Sequence, residues 1–250
     1  MITAFLDRLG LPQSCELDRT VSKRMLSENV DLNVTDKKAL KDDIAKIRWT
    51  HTLKPSTINI APYIDQIHEY AEIAILSIVI VKPERVRRIA TFIHKAIPYA
   101  TFLVFGYADQ VAVSVADKRI NQADKSKWVV ENSWLTPWFD PQVKHGPTHA
   151  FVADSYSSRL PFSTFLAFYG ALRDRVIALI AAEHTGRYKL ATSEATENRI
   201  EHLHQIEEHT RMIAKLKTKL KRTRQIAVQI TLNTEIKKHK DAIIKLKLKM

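Results

Sequence analysis

Hydrophobic and polar residues follow two different periods in the first two thirds of the chain, and these periods predict its elements. Four segments have the alternation or the β-branched apolar composition of strands: 47–53, a part of 67–81, 101–107 and 111–116. Three segments repeat apolar residues at helical spacing: 36–45, 84–97 and 161–182. A helix between the second and third strands predicts a right-handed crossover, which makes those strands parallel, and the fourth strand returns antiparallel. The sequence therefore predicts an α+β fold whose small mixed sheet has the core order strand, helix, strand, strand.

Other parts of this region lack a clear period. Residues 1–34 are a polar, poorly periodic stretch after a short apolar start, and Thr35 is the expected cap of the first helix. Segment 142–158 is expected to be irregular, because Gly146 and Pro147 lie near its centre. Between these segments lie Trp128 and Trp134, which could stack on bases in a single-stranded groove, although large aromatic residues more often lie in a core or an interface.

The last sixty residues have a different character, with neither Pro nor Gly from Ser193 onward and with many helix formers. Two apolar seams follow coiled-coil spacing: Leu203, Ile206, Ile213, Leu216 and Leu220 form the first, and Leu232, Ile236, Ile243, Leu246 and Met250 form the second. The second seam is two residues out of step with the first, so the apolar stripe moves about 200° around the helix between Lys221 and Gln229. We therefore predict an α+β domain over 1–190 and a basic helical hairpin or coiled coil over 191–250, with one continuous helix as the alternative.

Positive charge is concentrated in this tail. The net charge is +12, and 13 Lys and Arg residues of segment 211–250 face only Glu235 and Asp241. Seven of these cations lie within fourteen residues without an acid: Arg211, Lys215, Lys217, Lys219, Lys221, Arg222 and Arg224. They are the candidate nucleic-acid-binding residues, and such contacts to a DNA or RNA backbone would be sequence-independent and salt-sensitive. The alternatives are a solvated helical face and an acidic partner, including a neighbouring copy of the chain.

Candidate metal ligands are few. His145 and His149 are four residues apart, with Asp154 beyond them, and this spacing binds zinc on a helix. Because Gly146 and Pro147 disfavour a helix there, we expect no metal. The histidines of the tail are expected at the surface.

Catalytic signatures are weak as well. A restriction-type nuclease holds Mg²⁺ with a strand-borne Asp and an acid-x-Lys pair, whereas the predicted strands offer only Glu69, Glu72 and the turn residue Asp109. The chain has no glycine-rich phosphate loop, and Cys15 with distant histidines is a poor basis for nucleophilic catalysis. We expect no enzyme activity and no cofactor, and a divergent metal-dependent nuclease is the third hypothesis.

Composition bears on location. The single cysteine fits a reducing compartment, and the longest apolar run, 73–81, is far shorter than the roughly 20 residues that span a bilayer. Asp7 and Arg8 follow the apolar start too closely for a secretory signal. We therefore expect a soluble cytoplasmic protein that does not bind membranes.

Two segments contain short motifs: 47–60 has the sequence Ile-Arg-Trp-Thr-His-Thr-Leu-Lys-Pro-Ser-Thr-Ile-Asn-Ile, and 96–99 has the sequence Ala-Ile-Pro-Tyr. These motifs resemble a bacterial protein family, domain of unknown function 4391. Trp128 and Trp134 fall where its members tend to have tryptophans. Gln225 and Asn233 match amides in the charged helical segment of the family, whereas Ala227 stands where Asn is frequent, so this chain departs from the family pattern at that amide.

The resemblance implies a setting rather than a chemistry. Members of the family resemble accessory components encoded beside helicases and DNA methyltransferases in restriction-like or phage-defence clusters. We therefore expect a non-catalytic accessory subunit that binds nucleic acid through its basic helices and has a helicase or methyltransferase partner. The second hypothesis is a protein-interaction adaptor whose tail binds an acidic partner or forms a homo-oligomer.

Overall fold

A mixed β-sheet of six strands organises the first part of the chain in the computed structural model, which describes residues 1–125 and 127–250. The strands are β1 (Glu16–Thr20), β2 (Ile44–Leu53), β3 (Tyr63–Ile64), β4 (Glu69–Tyr70), β5 (Ile73–Ile80), β6 (Ala100–Tyr107), β7 (Gln110–Ile120) and β8 (Trp128–Leu135). The helices are α1 (Ile2–Asp7), α2 (Lys23–Glu28), α3 (Val34–Asp42), α4 (Pro55–Ile58), α5 (Val86–Ala96), α6 (Gly146–Asp154), α7 (Phe165–Thr185), α8 (Ser193–Arg222) and α9 (Ile226–Lys247). The chain divides into two units, Met1–Ile180 and Ala181–Met250.

The sheet has the strand order β1-β2-β5-β6-β7-β8, and β3 and β4 form a separate two-stranded ladder. Strands β5 and β6 are parallel and are joined by a crossover that contains α5, while β6 and β7 form an antiparallel hairpin. The predicted α+β class, crossover and returning strand are therefore confirmed. Both central strands are almost wholly apolar, because each has its two faces covered.

Helix α5 fixes one face of this sheet. Its apolar positions Ile89 and Ile93 are fully buried and belong to the same core cluster as Leu76 of β5 and Phe105 of β6. The sequence pattern of this helix was clear because only one side of it is buried.

Two elements of the sheet were not predicted. Strand β1 lies at one edge of the sheet beside β2, and all five of its residues are exposed. It therefore lacks the alternation of buried apolar and exposed polar residues that predicts a strand. Strand β8 lies at the other edge and contains both Trp128 and Trp134. The hydrophobic pattern therefore predicted the central strands but not the two edge strands.

Three expectations about helices are wrong. Helix α3 is capped by Asn33, which forms a capping box with Asp36, and Thr35 lies inside the helix. Segment 142–158 is not irregular, since it contains α6; Pro147 occupies its first turn, where a missing N–H costs nothing, and Gly146 has a φ of 79°. Helix α7 begins at Phe165, so Pro161 precedes it.

The second unit contains a helical hairpin. Helices α8 and α9 pack along each other and are joined by only three residues, 223–225, which makes them antiparallel. The seam residues Ile206, Leu232 and Ile236 are buried between them, and the Nδ1 atoms of His209 and His239 lie 2.9 Å apart across the pair. The predicted hairpin is confirmed, and the continuous helix is wrong.

No helix in the described ranges combines the length and the apolar character that crossing a bilayer requires.

Candidate nucleic-acid interface

The seven cations predicted to bind nucleic acid lie together at the end of the hairpin where α8 passes into α9. Six of them, from Arg211 to Arg222, belong to the C-terminal part of α8, and Arg224 lies in the connection. The side chains of all seven are exposed. The hairpin thus presents them at one end of the second unit.

Helical geometry distributes these cations around every exposed side of α8. The half-buried seam residues Ile213, Leu216 and Leu220 mark the side that faces α9. With 3.6 residues per turn, Arg211, Lys215 and Arg222 fall on the opposite, outward side. The remaining helical cations, Lys217, Lys219 and Lys221, flank that stripe. Neighbours at i and i+4 are separated by about 6 Å along the axis.

Few negative charges offset this group. From His209 to Thr234 the sequence contains no Asp or Glu. The ion pairs found across residues 1–125 and 127–250 include none of the seven cations. The segment is therefore positively charged without internal compensation.

Stabilisation of the C-terminal end of α8 explains only some of these cations. Lys219, Lys221 and Arg222 lie in the last turn of α8, where they stabilise the negative end of the helix dipole. Arg211 and Lys215 lie well before that turn, so helix stabilisation does not explain them. Helix α9 begins at the same place without an acid in its first turn, and its positive end adds to the local potential.

The two helices differ at this end of the hairpin. Segment 225–234, which contains the first turns of α9, has no charged residue. Within it, Ile226 is 74% exposed and Ile230 is 62% exposed. The distal hairpin therefore has a cationic side formed by α8 and an uncharged, partly apolar side formed by α9.

The sequence matches the model of the family described as "Domain of unknown function (DUF4391)" over residues 9–243. The chain belongs to this family. No curated protein and no solved structure is significantly similar to it. The family match covers both units, including the basic part of α8.

The tryptophans of this family member differ in their surroundings. Trp134 is buried on β8, so its ring is not available for stacking on a base. Trp128 is half-buried at the start of the same edge strand. A third tryptophan, Trp49 of β2, is half-buried and lies beside Tyr99, with 6.3 Å between ring centroids.

The candidate metal ligands do not come together. His145 immediately precedes α6, His149 lies in it, and the Asp154 carboxylate at its end lies 3.5 Å from the Arg159 guanidinium. In the described part of the chain, no group of three or more His, Cys, Asp or Glu side chains could hold a metal ion. The imidazole of the tail residue His209 contacts the imidazole of His239 and is partly buried.

The candidate catalytic residues are dispersed too. Glu69 lies in β4, Asp109 lies in the turn after β6, and the Glu72 carboxylate lies 3.6 Å from the Lys54 ammonium. Cys15 is buried, and burial raises the pKa of its thiol, which disfavours the nucleophilic thiolate.

A buried polar network beside the sheet was missed by the sequence pattern. His94 of α5 forms hydrogen bonds with Thr101 through Nδ1 (2.5 Å) and with Ser114 through Nε2 (2.9 Å). Ser114 donates its hydroxyl proton to the carbonyl of Trp134, so Nε2 of His94 is the donor to Ser114. This direction excludes His94 as a base that activates Ser114, and burial lowers the pKa of His94, which keeps it neutral. The network is structural.

Proposed function

We propose that this protein is a non-catalytic subunit that binds nucleic acid through the basic end of its helical hairpin. The supporting observation is the group of seven exposed cations around α8, in a segment without an acid and without ion pairs to other described residues. An exposed cation group of this density is the electrostatic footprint of a polyanion-binding surface.

The contacts are to phosphate oxygens rather than to bases. Six of the cations are long, exposed side chains spread around α8, and Arg224 lies in the connection. Binding is therefore independent of base sequence and is driven by counterion release, so affinity falls steeply with salt. Each cation that neutralises a phosphate of duplex DNA contributes about 0.9 to the slope of log K against log salt concentration.

The test compares two full-length variants with the same loss of charge. In the first, the seven cations of the hairpin are replaced with Gln. In the second, seven exposed lysines of the first unit are replaced with Gln: Lys37, Lys38, Lys41, Lys46, Lys82, Lys95 and Lys144. Binding of DNA and RNA duplexes and single strands is measured by fluorescence anisotropy over a salt series.

We expect the hairpin variant to lose most of its affinity and most of its salt slope, and the control variant to keep both. Circular dichroism of both variants should retain the helical signal, because exposed Gln is a good helix former. Equal losses in the two variants would show that overall charge, and not the hairpin, attracts nucleic acid, and the proposal would then be wrong.

The helicase or methyltransferase partner and the phage-defence setting belong to this proposal through the family resemblance. A non-catalytic nucleic-acid-binding subunit suits such a partner, because it supplies attachment to DNA while the partner supplies chemistry. Affinity purification of the tagged chain from its native cells should recover a helicase or methyltransferase. Recovery of neither enzyme from cells that contain both would contradict this part of the proposal.

A second function, that of an adaptor, is favoured by one observation. Ile226 and Ile230 expose apolar surface on the uncharged side of the distal hairpin, where an identical copy could approach without repulsion between the cations of α8. If this surface holds two copies together, light scattering should give a dimer mass for the native chain. The doubly substituted Ile226→Gln, Ile230→Gln variant should then be a monomer.

A further inference from the structure

A cavity of about 630 Å³ lies in the first unit, far along the sequence from the basic hairpin. Two of the segments that carry the family resemblance, 47–60 and 96–99, both contribute to its lining, although 35 residues separate them. Trp49, Thr52, Lys54 and Ser56 come from the first segment, and Tyr99 comes from the second. The volume is in the range of sites that hold small molecules.

Two aromatic side chains line part of the cavity. The rings of Trp49 and Tyr99 meet at 64° with 6.3 Å between their centroids, and Tyr99 is 40% exposed. The indole nitrogen of Trp49 donates to the carbonyl of His51, which fixes the orientation of the ring. An accessible and oriented indole is a surface on which a planar ring stacks.

Charged groups of both signs line the same cavity. Arg19 and Lys54 supply cationic donors, and the carboxylate of Glu72, which is largely buried, lies 3.6 Å from the ammonium of Lys54. The side chain of Arg19 is exposed and has no ion-pair partner among the described residues. A ligand with a phosphate and with hydroxyl or amino donors would match the two cations and the carboxylate.

The backbone around these side chains is held in place before any ligand arrives. The hydroxyl of Thr57 accepts from the Lys54 amide (2.8 Å) and donates to the carbonyl of Thr52 (3.1 Å), so the turn that carries Lys54 is tied to β2. On the other side, the ammonium of Lys118 donates to the carbonyl of Tyr99. Such supports keep a site in one geometry and reduce the entropy lost on binding.

We infer that this cavity binds a nucleotide: a nucleobase on Trp49 and Tyr99, its phosphate on Arg19 and Lys54, and a hydroxyl or amino group on Glu72. The nucleobase with its phosphate can come from a free mononucleotide or from the end of a single strand. The lining residues of this site all belong to the first unit, and the inference does not depend on the function proposed for the hairpin.

The test titrates the full-length protein with AMP, GMP, CMP and UMP, followed by tryptophan fluorescence and by calorimetry. All four tryptophans lie between residues 49 and 138, so the fluorescence reports on this unit and not on the hairpin. We expect saturable binding that quenches the fluorescence. The hairpin variant with seven Gln substitutions should bind equally well.

Substitutions distinguish the aromatic part of the site, which holds the base, from the cationic part, which holds the phosphate. Trp49→Ala should weaken binding about 10-fold or more, whereas Trp49→Phe, which keeps a ring, should bind almost normally in calorimetry. Arg19→Gln and Lys54→Gln should weaken binding of AMP but leave binding of adenosine unchanged. Urea unfolding of each variant verifies that the fold is intact.

A single-stranded oligonucleotide with a terminal phosphate distinguishes the two sources. In the hairpin variant, competition by this oligonucleotide against bound AMP assigns the site to strand ends as well, and absence of competition assigns it to free nucleotides. The inference is overturned if none of the four mononucleotides binds at millimolar concentration, if Trp49→Ala leaves binding unchanged, or if the hairpin substitutions abolish it.

Discussion

Lys118 is a buried amine within the sheet, and its surroundings explain both its role and its pKa. Its ammonium donates to the carbonyls of Ile97 (2.6 Å) and Tyr99, the residues that connect α5 to β6. Burial lowers its pKa to about 7, because the charged form loses solvation. One side chain thus caps the end of α5 and positions Tyr99.

Substitution of Lys118 should change the pH dependence of stability. The unfolded chain keeps the Lys118 proton up to its ordinary pKa of 10.5, whereas the folded chain releases it near pH 7. Between pH 7 and 8.5 the unfolded state therefore binds more protons, and the free energy of unfolding rises with pH by at most about 1.4 kcal/mol per unit. In Lys118→Met this rise should be absent in urea unfolding measured across that range.

Lys95→Met is the control for this substitution, since Lys95 lies exposed on α5 and should leave the rise intact. The chosen range lies above the ordinary pKa of 6.5 of His51, His94 and His184, whose pKa burial lowers, and below the ordinary pKa of 9.0 of Cys15, whose pKa burial raises. A rise that persists in Lys118→Met would assign the pH dependence to another group.

At the scale of elements, the hairpin is the part of the fold that the sequence predicted most completely. The two apolar seams are out of step by two residues, so on one continuous helix they would lie on different sides. A turn between α8 and α9 allows the two seams to face each other. The prediction from sequence missed β1, because all the residues of this strand are exposed. It also missed α6, because a prediction that treats Pro147 as a helix breaker ignores its position in the helix. Proline breaks a helix interior but is tolerated in its first turn.

The same substitution at two positions of α9 tests the hairpin. Ile236 is 6% exposed and faces α8, whereas Ile230 is 62% exposed. Ile236→Ala should destabilise the hairpin by about 2–5 kcal/mol, because it leaves a cavity in the seam. Ile230→Ala should change its stability by less than about 0.5 kcal/mol.

Amide hydrogen exchange of α8 and α9 measures both effects, because it reports local opening within one unit. Protection should fall along both helices in Ile236→Ala and stay unchanged in Ile230→Ala. Equal losses at the two positions would contradict the seam.

At the scale of the whole molecule, positive charge is segregated rather than spread. Of the net charge of +12, segment 211–250 carries +11, and residues 1–210 are almost neutral. A polyanion therefore meets a strong local field at one end of the chain and a weak one elsewhere, and this arrangement matters more than the total.

Chromatography on heparin should reveal this segregation without any nucleic acid. The hairpin variant and the control variant each lose seven positive charges, so their net charges are equal. We expect the hairpin variant to elute at clearly lower salt than the control, because a clustered charge binds a polyanion with several contacts at once. Elution of both at the same salt concentration would show that the net charge alone governs binding.

The sequence by itself determined the class of the fold, the parallel crossover, the helical hairpin and the location of the cations. These features repeat along the chain with a fixed period or lie within one short segment, so local residue order is enough to specify them. Only the tertiary structure decided which residues of distant segments share a site. Trp49 and Tyr99 meet because β2 and β6 both pair with β5, and Lys118 reaches the connection before β6 from β7. Such contacts depend on strand order, and strand order is set by the burial of whole elements rather than by any local pattern.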